Sequence, residues 1–201
     1  RQASSTPVED LISMLAQGES TRDMPPNEFL GNVLLLIVGG NDTTRNSITG
    51  GVQALNRFPE EYAKLQANPE LLPNMVSEIV RWQSPVAHMC RTAMQDVELG
   101  GQLIRKWDKV AIWYLSGNRD TTQFADADRL VIDRPNVRQH LSFGYGIHRC
   151  LGNRLAEMQL RILWEEIMQR FEHVEVMAEP AYLNSSFIRG ITDLPVRVHD
   201  R

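Results

Sequence analysis

The spacing of apolar residues predicts a helical first part and a mixed second part of the chain. Residues 28–58 are apolar on nearly all sides at their start, which favours one helix, about 45 Å long, that crosses the protein interior. Shorter helical patterns cover 60–67 and 73–83, next to prolines that end or begin them, and another short helix is expected over 8–16. Most of the first half of the chain is therefore predicted to be helical.

The second half combines short strands, one long loop and one strong helix. A hairpin with a Gly-Gly turn is expected over 97–104, a buried strand over 110–115 and a mostly irregular loop over 117–142. A helix is expected over 151–171, followed by short strands over 174–198. The apolar face of that helix is predicted to consist of Leu155, Ile162, Trp164, Ile167 and Phe171. The fold class is thus mainly α with small β-sheets, in one compact unit without a linker.

Composition narrows the class of protein. The chain has 201 residues, 42% of them hydrophobic, and a formal net charge of −4, so nothing attracts it as a whole to nucleic acid or an anionic membrane. Two cysteines are too few for a disulfide-stapled secreted scaffold, which favours a reducing cytoplasm. The longest apolar run, 33–38, is too short to span a bilayer, and residues 1–7 contain no apolar signal core.

Residues 143–152, with the sequence FGYGIHRCLG, carry the strongest chemical signal. They place Cys150 at the start of a predicted helix, where free backbone N–H groups favour a thiolate over a thiol. The glycines allow a bulky partner to approach the backbone closely. No second cysteine or Cys/His pair stands at zinc spacing, so a closed zinc site is disfavoured. The alternative is that Cys150 is a small buried hydrophobic residue, the common fate of an isolated cysteine.

Every fixed position of this segment matches the signature of the cytochrome P450 superfamily, Phe-Gly-x-Gly-x-His/Arg-x-Cys-x-Gly, so the chain resembles that superfamily. The resemblance implies that Cys150 is the axial thiolate ligand of the iron of haem b. It also implies that His148 binds a haem propionate and that His140 pins the loop backbone, although either could be an ordinary structural histidine. The other residues implied in haem binding are Phe143, which packs near the sulfur, Gly144 and Gly146, which shape the loop, and Gly152 and Ala156.

A polar segment, GGNDTT at 39–44, lies in the middle of the most hydrophobic helix. Two glycines in a helix interior cost roughly 2 kcal/mol relative to alanine, and a buried aspartate costs more unless it is paired or hydrated. Taken alone, the segment could equally mark the end of one helix and the start of another. The resemblance implies an oxygen-binding helix, in which Gly39 and Gly40 leave space for haem and O2. Thr43 would hydrogen-bond dioxygen and widen the helix locally, and Asp42 would relay protons.

Charged residues between these two motifs are assigned to the scaffold and to haem. Glu78 and Arg81 stand three apart on one helix face and are placed to pair. The resemblance identifies them as the superfamily's structural charge pair, which would tie to the irregular loop at Arg134. It also matches Arg91 to the arginine that binds the second propionate, the alternative being a surface arginine.

The substrate is expected to be an apolar small molecule. The resemblance implies a pocket lined by the long helix, the segment after Glu78–Arg81 and the C-terminal turn. The lining residues would be Leu35, Leu36 and Gly39 on the helix, Val86, Ala87 and Met89 in the segment, and Phe187 and Ile188 in the turn. Apart from His88 these segments are apolar. Residues 36–47 and 140–160 are very similar to bacterial terminal hydroxylases of alkanes and fatty acids, and this similarity covers most of 28–198.

Electrons are expected to come ultimately from NAD(P)H, through a ferredoxin and a ferredoxin reductase. The partner would dock where Arg138, Arg149 and Arg154 could meet acidic groups, unless these arginines are ordinary solvated surface. The resemblance implies a monooxygenase that inserts one atom of O2 at the terminal carbon of an alkane or fatty acid. Two alternatives are also compatible with a haem-thiolate protein: a peroxygenase that uses hydrogen peroxide, and a haem-binding sensor without turnover. The Asp42–Thr43 pair disfavours the peroxygenase, and the pair and the apolar pocket together disfavour the sensor.

The chain departs from the superfamily in length and at two positions. Members are about twice as long, so residues 1–201 are expected to be a single partial domain, the haem-binding C-terminal half, that binds haem poorly without the N-terminal half. Trp107 occupies a turn where glycine is usual, which predicts strain there. Cys90 stands where related hydroxylases often carry arginine, so no haem or substrate contact is assigned to it.

Overall fold

The computed structural model of the chain describes residues 10–201. Its contacts form two compact units, and the boundary between them falls inside one helix, between Asp42 and Thr43. The helices are α1 (Leu11–Gln17), α2 (Pro26–Arg57), α3 (Pro59–Ala67), α4 (Leu72–Gln83), α5 (Tyr114–Asn118) and α6 (Asn153–Arg170), with short 3-10 turns at Pro69–Leu71, Val137–Gln139 and Gly146–His148.

The first unit contains α1 and the first part of α2. Asp10 caps α1, because its carboxylate accepts a hydrogen bond of 2.8 Å from the backbone N–H of Ser13. The helix predicted over 8–16 falls partly outside the described residues, and the described part of it begins at Leu11. The helix predicted over 28–58 is confirmed as α2, which passes through 39–44 without a break.

The second unit is built on the packing of α2, α4 and α6. Gly51 of α2 allows this packing: a Cβ there would lie 2.9 Å from Cδ1 of Ile79 and 3.2 Å from Cζ2 of Trp164. Leu160 and Trp164 bring α6 into the same core, which extends along α3 and α4. The helices predicted over 60–67 and 73–83 are confirmed as α3 and α4.

Small antiparallel sheets surround this core. The strands are β1 (His88–Thr92), β2 (Val97–Leu99), β3 (Gln102–Ile104), β4 (Lys109–Trp113), β5 (Phe171–Val176), β6 (Ala181–Tyr182), β7 (Ile191–Asp193) and β8 (Val196–Asp200). They pair as β1–β4, β2–β3, β5–β8 and β6–β7. The hairpin over 97–104 is confirmed, and its two turn glycines have positive φ. The strands expected in the C-terminal part are also present.

Two sequence-based expectations about burial are wrong. The strand expected to be buried over 110–115 is β4, which is mostly exposed and pairs only with β1, while Leu115 belongs to α5. On α6, Leu155 and Ile162 are 52% and 46% exposed, whereas Leu160 and Trp164 are buried. Because successive residues of a helix are rotated by about 100°, these two pairs lie on different faces. The sequence pattern alone does not say which apolar face packs on the core.

Among the described residues, no helix combines the length and the apolar character needed to cross a membrane.

Candidate haem-binding site

The cysteine loop, defined here as residues 143–152, is closed by its own backbone. The N–H of Cys150 donates a hydrogen bond of 2.8 Å to the carbonyl oxygen of Phe143. Cys150 is exposed. Helix α6 begins at Asn153, with Gly152 at its N-cap, so the cysteine lies two residues before the cap, slightly outside the helix mouth expected from the sequence.

Two glycines of the cysteine loop adopt the left-handed conformation that L-residues avoid. The φ angles of Gly144 and Gly146 are +68° and +73°. At Gly144 the space is also limited, since a Cβ would lie 3.3 Å from the hydroxyl oxygen of Tyr114. At Gly146 the same atom would meet nothing within 4 Å in the described chain. The loop therefore needs glycine at 144 for both conformation and packing, and at 146 for conformation.

The cysteine loop exposes large apolar side chains around the thiol. Tyr145, Ile147 and Leu151 are 84%, 96% and 91% exposed. Apolar side chains of this size at such exposure indicate a surface that another group covers. A thiol among apolar side chains, with the exposed imidazole of His148 nearby in the loop, suits a large flat apolar ligand that binds a thiolate and carries acidic groups. The residues present therefore fit a haem.

His140 is buried beside this loop. Burial, and after it the positive charges of Arg149 and Arg81, together lower its pKa from 6.5 to about 4. Its Nδ1 accepts a hydrogen bond of 3.2 Å from the backbone N–H of Ser142, and its ring centroid lies 5.3 Å from that of Phe143. These contacts are those of a neutral imidazole that holds the backbone entering the loop.

A buried charge network lies behind the loop. Both side chains of the pair Glu78–Arg81 are fully buried, and the guanidinium binds the carboxylate through two hydrogen bonds of 2.7 Å. Arg134, expected as a partner, also pairs with Glu78, at 3.2 Å. A backbone N–H, that of Val131, donates to the same carboxylate at 2.9 Å.

This network pins the irregular loop predicted over 117–142. Arg81 donates to the carbonyl oxygens of Asn118, Ala127 and Arg129 at 2.6, 2.8 and 2.9 Å. The long loop is thus held by a buried guanidinium in addition to the backbone hydrogen bonds of its own turns.

Asn118 is a positioning residue that the sequence analysis missed. It is fully buried, its amide nitrogen donates to the hydroxyls of Ser84 and Ser142 at 2.8 Å each, and its amide oxygen accepts from the N–H of Leu141 at 2.7 Å. It therefore links the end of α4 to the irregular segment 140–142 that enters the cysteine loop. No local pattern signals this role, because an asparagine after Gly117 is also typical of an ordinary turn.

The segment GGNDTT at 39–44, which contains the acid–alcohol pair Asp42–Thr43, is α-helical at every residue. This continuity contradicts the alternative of a helix end followed by a second helix. Residues 39–44 contain no π-type turn, and the local widening expected at Thr43 stays a prediction. The hydroxyl of Ser47 donates to the carbonyl oxygen of Thr43 at 2.9 Å. A Cβ added at Gly39 or Gly40 would meet no atom of the described chain within 4 Å.

Of the residues expected to contact substrate, the structure brings two segments together. Val86 bridges Ile188, and the N–H of Ala87 donates to the carbonyl oxygen of Phe187 at 2.9 Å. His88 lies between them and β4, with its ring centroid 4.6 Å from Trp113 and 5.9 Å from Phe187. Its Nδ1 is buried and has no hydrogen-bond partner within 10–201.

Four further residues of the expected site stand on α2 and β1. Leu35 and Leu36 belong to the first unit, where Leu35 is 70% exposed, and Met89 is 38% exposed on β1. Arg91, also on β1, donates to the carbonyl oxygen of Cys90 at 2.9 Å. Trp107, expected to be strained, has a φ of +77°.

Comparison with known proteins agrees with this geometry. The family model described as Cytochrome P450 matches residues 2–192. A linalool 8-monooxygenase of Pseudomonas putida is 45% identical over 94% of this chain and 47% of its own length. A methyl-branched lipid omega-hydroxylase of Mycobacterium bovis is 44% identical over 94% of this chain and 44% of its own.

Among solved structures, cytochrome P450-153 from Novosphingobium aromaticivorans is 50% identical, with a TM-score of 0.90 over 94% of this chain and 48% of its own. The chain thus spans about half the length of the relatives that it matches. Its fold is accordingly part of the fold of those structures. The described helices, the exposed cysteine in its glycine-shaped loop and the extent of these matches agree: the chain belongs to the cytochrome P450 family.

Proposed function

We propose that the protein containing this chain is a haem-thiolate monooxygenase that inserts one atom of O2 into an unactivated C–H bond. The observation that carries this proposal is Cys150, exposed among apolar side chains in a loop that its own backbone closes. The hydroxylase and monooxygenase names of the relatives support the same reaction class.

Haem, when bound, supplies the activation of O2, which a thiolate ligand favours by donating electron density towards O–O cleavage. The chain supplies the thiolate of Cys150 and holds its loop with His140 and Asn118. We assign the binding of the haem carboxylates to His148 and Arg91, whose side chains carry N–H donors within reach of solvent. Phe143, Gly144, Gly152 and Ala156 shape the surface on which the ring would lie.

Proton delivery is assigned to Asp42 and Thr43. They are consecutive residues of α2, next to two glycines that leave one side of the helix open. A carboxylate can take up and release a proton, and a hydroxyl can pass a proton on by accepting one hydrogen bond while it donates another.

The substrate that this chain fits best is an apolar hydrocarbon chain, hydroxylated near its end. The segment 86–89 is joined to the turn at 187–188 by the bridge between Val86 and Ile188. Both segments are apolar apart from His88, whose ring centroid lies 5.9 Å from that of Phe187. One relative is named a linalool 8-monooxygenase and another a methyl-branched lipid omega-hydroxylase. We therefore propose medium-chain alkanes or fatty acids as substrates.

Electrons are proposed to come from a ferredoxin and its reductase, and ultimately from NAD(P)H. Arg138, Arg149 and Arg154 are exposed, and Arg149 is next to the proposed ligand cysteine. Exposed positive charge beside the redox centre would attract an acidic carrier and speed its association at low salt.

The proposal is tested by comparing two serine variants of the complete protein. Cys150→Ser removes the thiolate. We expect it to abolish the strongly red-shifted Soret band of the reduced carbon monoxide complex and to reduce hydroxylation to background. Cys90→Ser is the matched control, because Cys90 is also an exposed free cysteine. Normal spectra and turnover in Cys150→Ser would refute the proposal.

The substrate class has a separate test. Alkanes and fatty acids of graded length are added to the oxidised complete protein, and the Soret band is followed for the shift that accompanies loss of water from the iron. A shift with medium-length chains, absent with polar molecules of similar size, is expected. If neither class shifts the band, the substrate assignment is wrong, although the haem-thiolate assignment stands.

A further inference from the structure

One cavity in the second unit of the described chain is lined by positive charge that the proposed haem-thiolate function does not use. Its volume is about 330 Å³, at the lower end of the range of small-molecule sites, and all of its lining residues belong to the second unit. Three arginines line it: Arg57 at the end of α2, Arg119 just after α5 and Arg189 just before β7. One carboxylate, that of Asp128, accompanies them.

The positive charge exceeds what the chain itself neutralises. Asp128 pairs with Arg119 at 3.0 Å, but 91% of its side chain is exposed, so solvent screens this pair. Neither Arg57 nor Arg189 forms an ion pair within residues 10–201. The pKa of Arg119 is lowered, first by burial and then by the charges of Arg189 and Arg81, which is the sign of cations crowded together. Burial lowers the pKa of Arg189 as well.

Hydrogen bonds to the C-terminal end of α4 use only some of the N–H donors of these arginines. Arg119 donates to the carbonyl oxygen of Trp82 at 2.9 Å, and Nη1 of Arg189 donates to that of Gln83 at 2.6 Å, so both arginines satisfy the C-terminal end of α4. Nε and Nη2 of Arg189 donate to no acceptor in the described chain, and Arg57 only lies over the ring of Phe58, at 5.6 Å. Several charged donors therefore remain available.

A neutral donor completes the lining. The hydroxyl oxygen of Tyr182 accepts a hydrogen bond from the amide of Gln53, which leaves the hydrogen of this hydroxyl for another acceptor. Guanidinium groups bind phosphate through paired, charge-assisted hydrogen bonds. Three guanidinium groups and one exposed carboxylate leave an excess of two positive charges, which matches the charge of a dianion.

We infer that this cavity is a binding site for a phosphate group, either as free phosphate or as part of a small phosphomonoester. Arg57 and Arg189 hold the dianion, Arg119 contributes charge from its place on the α4 terminus, and Tyr182 donates the remaining hydrogen bond. The site does not depend on the haem-thiolate proposal, since none of its residues belongs to the cysteine loop or to the charge network behind it.

The test is calorimetric titration of the complete protein at constant ionic strength, with inorganic phosphate in one arm and glycerol phosphate in the other. Binding of both probes above a chloride control is expected. Binding of glycerol phosphate more tightly than phosphate identifies a phosphomonoester as the natural ligand, and the reverse order identifies free phosphate. Absence of binding in both arms overturns the inference.

Three variants locate the site. Arg57→Gln removes an exposed, unpaired donor and is expected to weaken phosphate binding about tenfold. Asp128→Asn removes the competing carboxylate and should tighten binding several-fold, an effect that a damaged fold could not produce. Arg197→Gln removes the same charge from an exposed position on β8, outside the cavity, and should leave the affinity unchanged. Equal affinities of Arg57→Gln and Arg197→Gln would overturn the assignment.

Discussion

The charge network around Glu78 and the cysteine loop are neighbours in the fold but opposite in character. In the network, two arginines and one glutamate are buried, and carbonyl oxygens and a backbone N–H of the same chain satisfy them. In the loop, apolar side chains and a thiol lie exposed. The comparison separates a scaffold that the chain completes by itself from a surface that needs a further group to cover it.

The two regions also differ in what satisfies their side chains. Buried charges must be satisfied locally, and the hydrogen bonds within the network do so. The apolar side chains and the thiol of the cysteine loop are exposed and would be covered by a ligand. Experiments on the network should therefore change stability, and experiments on the loop should change ligand binding.

The largest stability effect is expected from Glu78→Gln. The substitution leaves Arg81 and Arg134 buried without a carboxylate, and the loss of such a partner costs about 3–5 kcal/mol of the free energy of unfolding. Urea denaturation of the complete protein measures it. Glu165→Gln is the control: Glu165 forms an exposed pair with Arg161 at 3.8 Å, so its loss should cost less than about 0.5 kcal/mol. Similar losses for both variants would mean that the network does not hold the scaffold.

The next effect is a pH dependence at His140, which connects the two regions. Its pKa of about 4 in the folded protein lies below the ordinary value of 6.5, so the unfolded chain binds more protons between these values. The contribution of His140 to stability is complete above pH 6.5 and is lost as the pH falls towards 4, by up to about 3 kcal/mol.

His140→Gln removes this titration. Unfolding free energies of the parent and of this variant at pH 7, 5.5 and 4.5 should converge as the pH falls. A constant difference between the two proteins across that range would contradict the buried neutral imidazole.

A smaller effect is expected within the cysteine loop itself. Gly144→Ala places a residue with a Cβ at a φ of +68°, which costs about 1–2 kcal/mol, and forces that Cβ against the Tyr114 hydroxyl. Gly146→Ala carries only the conformational strain, because its surroundings are open. Gly144→Ala should therefore lower both stability and haem retention more than Gly146→Ala. Equal effects would show that the contact with Tyr114 is not tight.

The smallest effect concerns Trp107, where the chain has a bulky residue in the same left-handed region. Trp107 is 62% exposed at a φ of +77°. Trp107→Gly relieves the strain but increases the entropy of the unfolded chain, so a net gain of about 0.5 kcal/mol is expected. Leu103→Gly, on the neighbouring strand β3, should lower the free energy of unfolding instead. A loss in Trp107→Gly would show that its ring is held by contacts in the complete protein.

Local sequence determined much of the fold. Helix α2, the hairpin of β2 and β3 and the strained turn at Trp107 follow from short-range patterns or from one unusual residue, because backbone conformation depends mainly on nearby side chains. Burial was less predictable. Leu155 and Leu160 are equally apolar and five residues apart on α6, yet only Leu160 packs on the core.

The sequence by itself determined which residues are candidates for the chemistry: the cysteine and the glycines of its loop, the Asp42–Thr43 pair and the Glu78–Arg81 pair all stand in contiguous motifs. Only the tertiary structure decided which distant residues lie together. Arg57, Arg119 and Arg189 are more than 60 positions apart, and Asn118 joins segments on either side of it. The reason is physical: motifs record local conformation and chemistry, whereas charge convergence and burial depend on how whole elements pack.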